Sequence, residues 1–140
     1  MKLGKSLIGA ILAASAFFTT AVMAADHVVS AQVTAFKPIV VKVAVGDTVS
    51  WERMNGHITE SVEGMIPEGA EKWMSKMGEN FTTPPLTVEG VYFYKCTPHW
   101  GAGMGGVIIV GEPTNFEAIV ASKPKGAAKR LMKKAKKALK

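Results

Sequence analysis

The chain has 140 residues, 48% of them hydrophobic and 20% charged, a balance that gives one folded domain and excludes a disordered or fibrous chain. Its formal net charge of +6 is unevenly spread: residues 25–122 hold six basic and eleven acidic side chains, whereas residues 123–140 hold nine basic and none acidic. A basic tail on an acidic body is not the surface of interleaved basic and aromatic residues that a nucleic-acid binder presents, and that class is set aside.

At the N-terminus, Lys2 and Lys5 precede an apolar run from Leu7 to Phe18, and Val22-Met23-Ala24 supplies the small or branched residues of a cleavage site. This pattern predicts an export signal over residues 1–24, removed after Ala24. A membrane anchor needs about eighteen consecutive apolar residues, and Ser15, Thr19 and Thr20 interrupt the run. No stable membrane insertion is therefore expected once the signal is gone.

From Val28 to Trp51 the chain is rich in β-branched residues, with Gly46-Asp47 as a turn into Thr48-Val49-Ser50-Trp51. Two or three strands are expected there. The stretch Glu63–Gly78 loses alternation and contains Gly64, Pro67 and Gly69, so it reads as a loop with one helical turn at Ala70–Met74. Strand character returns at Leu86-Thr87-Val88, again at Val91–Cys96, and finally at Val107–Val110. Short strands at this spacing predict an all-β sandwich. Gly90-Val91-Tyr92 further suggests a tyrosine corner, in which a phenol ties down a crossing connection.

After Gly111 the period changes. Thr114 with Glu117 three residues on is the pattern of a capping box, opening a short helix that buries Phe116, Ile119 and Val120. A second helix places Ala128, Leu131, Met132, Ala135 and Leu139 on one stripe with lysines elsewhere. The stripe is largely alanine, which favours packing on the sandwich over insertion into a membrane surface. The expected organisation is a sandwich over residues 25–112 with a helical extension over 113–140 on the same domain.

One cysteine, Cys96, cannot make an internal disulfide, so a buried thiol, an intermolecular partner, a nucleophile and a metal ligand are all open. Its surroundings favour the last. Cys96-Thr97-Pro98-His99 is followed by Met104, bringing thiolate, imidazole and thioether into one short loop. Thiolate and thioether stabilise Cu(I) while imidazole serves both oxidation states, so copper suits this donor set, and calcium and magnesium do not. His57, beside Gly56 and just beyond the Trp51 strand, is the candidate fourth donor. Two His, one Cys and a weak axial Met form the electron-transfer type of copper site. Zinc accepts Cys and His ligands but rarely Met. A copper delivery protein would use the same donors. A copper enzyme needs an open position or a second metal, and only His27, expected to be exposed and non-ligating, is left for it. Met65, Met74 and Met77 are expected to cover apolar surface at one end of the sandwich.

The segment Gly64-Met65-Ile66-Pro67-Glu68-Gly69-Ala70-Glu71, with Tyr94-Lys95-Cys96-Thr97-Pro98-His99 and Met104, closely resembles the pseudoazurin family of cupredoxins across nearly all of residues 25–140. The resemblance implies an eight-stranded Greek-key β-sandwich with two C-terminal α-helices. It implies His57, Cys96, His99 and Met104 as ligands of one copper ion that alternates between Cu(I) and Cu(II). It further implies a monomeric bacterial periplasmic carrier, not an enzyme, whose partners are periplasmic redox proteins such as a copper nitrite reductase or a c-type cytochrome. Two departures stand out. The family usually has Asn after the first ligand His, where its side chain ties the two ligand loops; here Ile58 stands there, leaving the residue 58 amide as the expected donor to the Cys96 sulfur. Of the lysines with which the family surrounds its site to attract acidic partners, Lys72, Lys76 and Lys95 remain.

Overall fold

The computed structural model describes residues 23–140; the predicted export signal, except for its last two residues, lies outside them. Eight strands form two four-stranded sheets. β1 (Asp26–Gln32), β2 (Ala35–Lys37), β4 (Thr48–Glu52) and β6 (Phe81–Thr82) form the first sheet, in the order β2-β1-β4-β6. β3 (Val40–Val43), β5 (Glu60–Ser61), β7 (Gly90–Lys95) and β8 (Gly105–Val110) form the second, in the order β3-β8-β7-β5. The β1–β4 and β3–β8 pairs are parallel and the others antiparallel. The chain therefore crosses repeatedly between sheets, as a Greek-key sandwich requires. Two helices follow, α1 (Phe116–Ala121) and α2 (Gly126–Ala138).

The pattern of β7 and β8 explains where the helices go. All six residues of β8 are buried, as are five of six in β7, so neither strand shows the polar-out alternation of a half-exposed sheet. Val29, Val49, Trp51, Tyr92, Tyr94, Cys96, Met104 and Ile108 pack between the two sheets. Val91, Phe93, Val107 and Ile109 point the other way and are covered by Phe116, Ile119, Leu131 and Ala135 of the helices. The second sheet is thus apolar on both faces because it is sandwiched on both. The stripe expected on α2 is the face that docks, with Leu131 and Ala135 buried and Ala128, Met132 and Leu139 packed at their edge.

The tyrosine corner is present: Tyr92 Oη donates to Val88 O at 2.6 Å. Three other local expectations are corrected. Ala70–Met74 forms no helical turn; Trp73 and Ser75 run extended beside Thr59–Ser61, with Ser61 N bonded to Trp73 O at 3.0 Å and Ser75 N to Thr59 O at 2.9 Å. Leu86–Val88 is not a strand, because Pro84 and Pro85 remove the amides that would start it; the pairing with β4 is made earlier, at Phe81–Thr82. No capping box opens α1. Thr114 Oγ1 donates to Glu89 O at 3.0 Å. Asn115 instead imitates a strand neighbour, accepting from Val91 N at 2.7 Å and donating to Val91 O at 2.9 Å.

His27 is also not the exposed residue expected. It is half-buried, with Nε2 2.8 Å from Asp47 Oδ2. The same carboxylate accepts from the amides of Ala25 at 2.9 Å and Ala44 at 3.0 Å. Asp47 so joins the beginning of β1 to the end of β3. Among the described residues, no helix is long and apolar enough to cross a membrane.

Candidate metal centre

At one end of the sandwich, Cys96 follows β7 directly and Met104 precedes β8 directly. The two strands are antiparallel neighbours, so the residues between them must turn back within a few positions. They do so as a 3-10 segment, Thr97–Ala102, for which Pro98 supplies a fixed φ. Four backbone hydrogen bonds close the loop. Cys96 N donates to Met104 O at 2.9 Å, His99 N to Cys96 O at 3.0 Å, Gly103 N to Trp100 O at 2.8 Å and Met104 N to His99 O at 3.1 Å. The bonds hold the backbone at Cys96, His99 and Met104 in one small ring, and all three side chains have partners or burial consistent with a shared centre.

His57 arrives from the other sheet connection. Its amide donates to Met54 O at 2.8 Å and its carbonyl accepts from Gly78 N at 2.9 Å. The geometry brings the four expected residues to one end of the fold, and three of their donor atoms are close together. Cys96 Sγ is 3.7 Å from His57 Nδ1 and 3.4 Å from His99 Nδ1, and His57, Cys96 and His99 offer ligand atoms all within 4.8 Å of one another. The two imidazole rings sit 4.9 Å apart, tilted by 52°. Met104 is fully buried in the same core as Cys96. Burial, and then the neighbouring His99, hold His57 below the usual imidazole range, which favours the neutral ring whose lone pair a metal ion takes. A thiol and two imidazoles aimed at a common point, next to a buried thioether and without a carboxylate among them, suit a soft or borderline transition metal.

The residues supporting this centre include several that pattern reading did not single out. Trp73 Nε1 donates to Thr59 Oγ1 at 3.1 Å, Trp73 N to Ser61 Oγ at 3.2 Å and Thr59 N to Ser75 Oγ at 3.0 Å, a buried polar seam that fixes the strand leaving His57. Short polar residues in a Gly- and Pro-rich stretch look like solvated loop, and only the partner segment reveals their role. Among the described residues, the polar neighbours of Cys96 Sγ are the two ring nitrogens; the Ile58 amide, expected as a donor, is not one of them. Ile58 itself is buried. The ligand loops are tied elsewhere: Thr97 Oγ1 donates to Glu60 Oε2, and Lys95 Nζ lies 3.6 Å from the same carboxylate oxygen.

Two glycines after Met104 leave room for the walls of the site. A Cβ at Gly106 would fall 2.2 Å from the Tyr94 hydroxyl, and one at Gly105 would fall 2.9 Å from the Trp100 ring. Tyr94 is fully buried, edge-on to Trp51 with centroids 4.9 Å apart, and burial pushes its phenol far above the usual range. Met65 is buried as expected, but Met74 and Met77 stand exposed and do not cover the apolar surface.

Residues 23–111 match the family model described as copper-binding proteins of the plastocyanin/azurin family. The chain belongs to that family. It is similar to the pseudoazurin of Paracoccus pantotrophus, 37% identical over 99 residues that make up 69% of this chain and 68% of that one. It is also similar to the pseudoazurin of Methylorubrum extorquens, 32% identical over 127 residues, 84% of this chain and 85% of that one. The crystal structure of native pseudoazurin from Hyphomicrobium denitrificans superposes with a TM-score of 0.70 at 32% identity, covering 77% of this chain and 93% of that one. This cupredoxin is of the pseudoazurin type. It binds one copper ion per chain and carries electrons without being an enzyme.

Proposed function

We propose that His57, Cys96 and His99 would hold the copper ion, that Met104 would supply a weaker fourth donor, and that the protein is a one-electron carrier of the bacterial periplasm. Copper bound there supplies a one-electron couple, alternating between Cu(II) and Cu(I), both of which accept this donor set. The convergence of one thiol and two imidazoles within 4.8 Å carries this reading.

The chain's own residues account for the behaviour of a carrier. Cys96, His57 and Met104 are buried and exclude water, while His99 is half-exposed between exposed Pro98 and half-exposed Trp100. The His99 ring edge is therefore the route by which an electron reaches a partner. The four bonds that close the Cys96–Met104 loop and the tie from Thr97 to Glu60 hold the donors in place whatever charge the site bears. A fixed donor set keeps the rearrangement on electron transfer small. Among the described residues, His57, Cys96 and His99 are the one grouping of three His, Cys, Asp or Glu side chains whose donor atoms lie close enough to hold a metal ion.

The mature chain would begin at Ala25, with residues 25–112 as the sandwich and 113–140 as its helical extension, and would act as a monomer. Its partners would be periplasmic redox proteins, a copper nitrite reductase or a c-type cytochrome among them, by resemblance to the family. Cys96→Ser tests the ligand assignment. Copper-loaded wild-type protein is expected to show an intense visible thiolate-to-copper absorption that the variant lacks; a variant that keeps the band contradicts the assignment.

A further inference from the structure

The lysines expected to attract acidic partners are already neutralised. Lys72 Nζ contacts both carboxylate oxygens of Glu63 at 2.7 and 2.8 Å, Lys95 lies 3.6 Å from Glu60, and Lys76 lies 3.9 Å from Glu79. Each is a near-cancelling pair when seen from more than a few ångströms away. Yet nine cations of residues 123–140 have no carboxylate within ion-pair distance among the described residues. One of them reaches the electron exit.

Arg130 lies in α2, and its guanidinium is pressed against Gly103, in the loop between His99 and Met104. A Cβ built on Gly103 would fall 2.1 Å from a guanidinium nitrogen and 3.1 Å from Cζ, and the φ of this residue is +84°. The left-handed backbone therefore favours glycine here, and the guanidinium, the mobile end of a long side chain, rests in the space that the missing side chain leaves. The approach is anchored. Leu131 is buried in the cluster that holds Trp100, and its Cδ1 would lie 3.0 Å from a Cβ at Gly105. Arg130 remains exposed, and residues 96–111 contain no acidic side chain to quench it.

Three other α2 cations line grooves away from the loop. Lys134 and Lys137 share the Arg130 stripe at i+4 and i+7 but line a groove with Ile39 and Val40, about 6 and about 10 Å farther along the helix axis. Lys129 lines a separate groove with Lys123 and Lys125. Coulomb energy falls with distance and salt screens it over about 8 Å at physiological ionic strength, so the charge in contact with the loop acts there more strongly than any one of these. We propose that Arg130 is the docking charge of the electron-exit edge, receiving an acidic patch beside the redox centre of a partner protein.

The proposal rests on His99 as the exit edge and is tested with small charged oxidants in place of the partner. Reduced, copper-loaded protein gives one electron to hexacyanoferrate(III), a trianion that becomes hexacyanoferrate(II), or to tris(phenanthroline)cobalt(III), a trication that becomes the cobalt(II) complex. Arg130→Gln is expected to slow the anion about threefold at about 0.1 M ionic strength, and to speed the cation by a similar factor, from Coulomb attraction at about 8 Å in screened water. Arg130→Lys should retain the wild-type rates. The double variant Lys72→Gln/Glu63→Gln, which removes a neutral pair, should change either rate by less than about 1.5-fold. The visible band and the reduction potential of Arg130→Gln should match wild type. Equal rates for Arg130→Gln and wild type with the anion would overturn the proposal. So would a change of the same sign with both oxidants, or loss of the band, since either marks a loop held in shape by Arg130 and not a docking charge. A failure of the ligand assignment appears separately, as a wild-type protein without the band, and would remove the exit edge on which the proposal stands.

Discussion

Asp47 shows how one side chain can set the acid limit of a whole fold. Three donors face its carboxylate, and the amide of Ala25, then His27, then the amide of Ala44 hold it below its ordinary value of 3.8. In the unfolded chain those donors are gone and the carboxylate binds protons more readily. The stabilisation is therefore complete above pH of about 4, where both states are ionised, and is lost as pH falls through the folded value. Denaturant titrations of wild type and Asp47→Asn at pH 7 and pH 3 check this. The wild type should lose stability between the two and the variant should lose less; equal losses would show that Asp47 does not carry the acid sensitivity. At this scale the sequence was informative about donors and silent about supports. The grouping of His57, Cys96 and His99 is legible because their side-chain chemistry is rare, and Met104 is proposed with them because it follows in the same short loop as Cys96 and His99. Asp47 with His27, Glu60 with Thr97, and Arg130 on Gly103 are legible only in three dimensions, because each joins ordinary residues 20 or more positions apart.

At the scale of elements, the apolar runs of β7 and β8 predicted strands, and the stripe on α2 predicted its buried face. Residues 70–74 misled, since Ala70-Glu71-Lys72 has helical composition while Trp73 and Ser75 find strand-like partners in Thr59 and Ser61. Tertiary pairing overrides weak local preference in such a short segment. The Thr114 and Glu117 spacing likewise matches a capping pattern, but Thr114 is claimed by Glu89 O. The helices cover the second sheet, and Leu131 is the side chain where α2 meets both that sheet and the metal loop. Leu131→Ala should lower stability by about 2–5 kcal/mol in a denaturant titration of copper-free protein. A loss below about 0.5 kcal/mol would mean that α2 does not depend on this contact for its docking. The alternative of a membrane-surface helix gains nothing from a face already buried against the sheet.

The whole molecule divides its tasks by position. Two sheets and a helical layer pack together, and one end of the sandwich brings a loop from the β7–β8 turn against a histidine from a different connection. Cys96, His57 and Met104 are buried behind the half-exposed His99, the arrangement that the proposed electron route requires. Much of the positive charge lies in residues 123–140, while Lys72, Lys76 and Lys95 pair with glutamates. The central claim is that a single copper ion is held by Cys96, His57, His99 and, weakly, Met104, in a frame too well supported to rearrange when the electron leaves. X-ray absorption at the copper edge of the oxidised and then the reduced protein measures this directly. The account predicts one short sulfur contact and two nitrogen contacts in both states, with only slight lengthening on reduction. Loss of a histidine nitrogen on reduction, or a first shell of oxygen and nitrogen without sulfur, would contradict it.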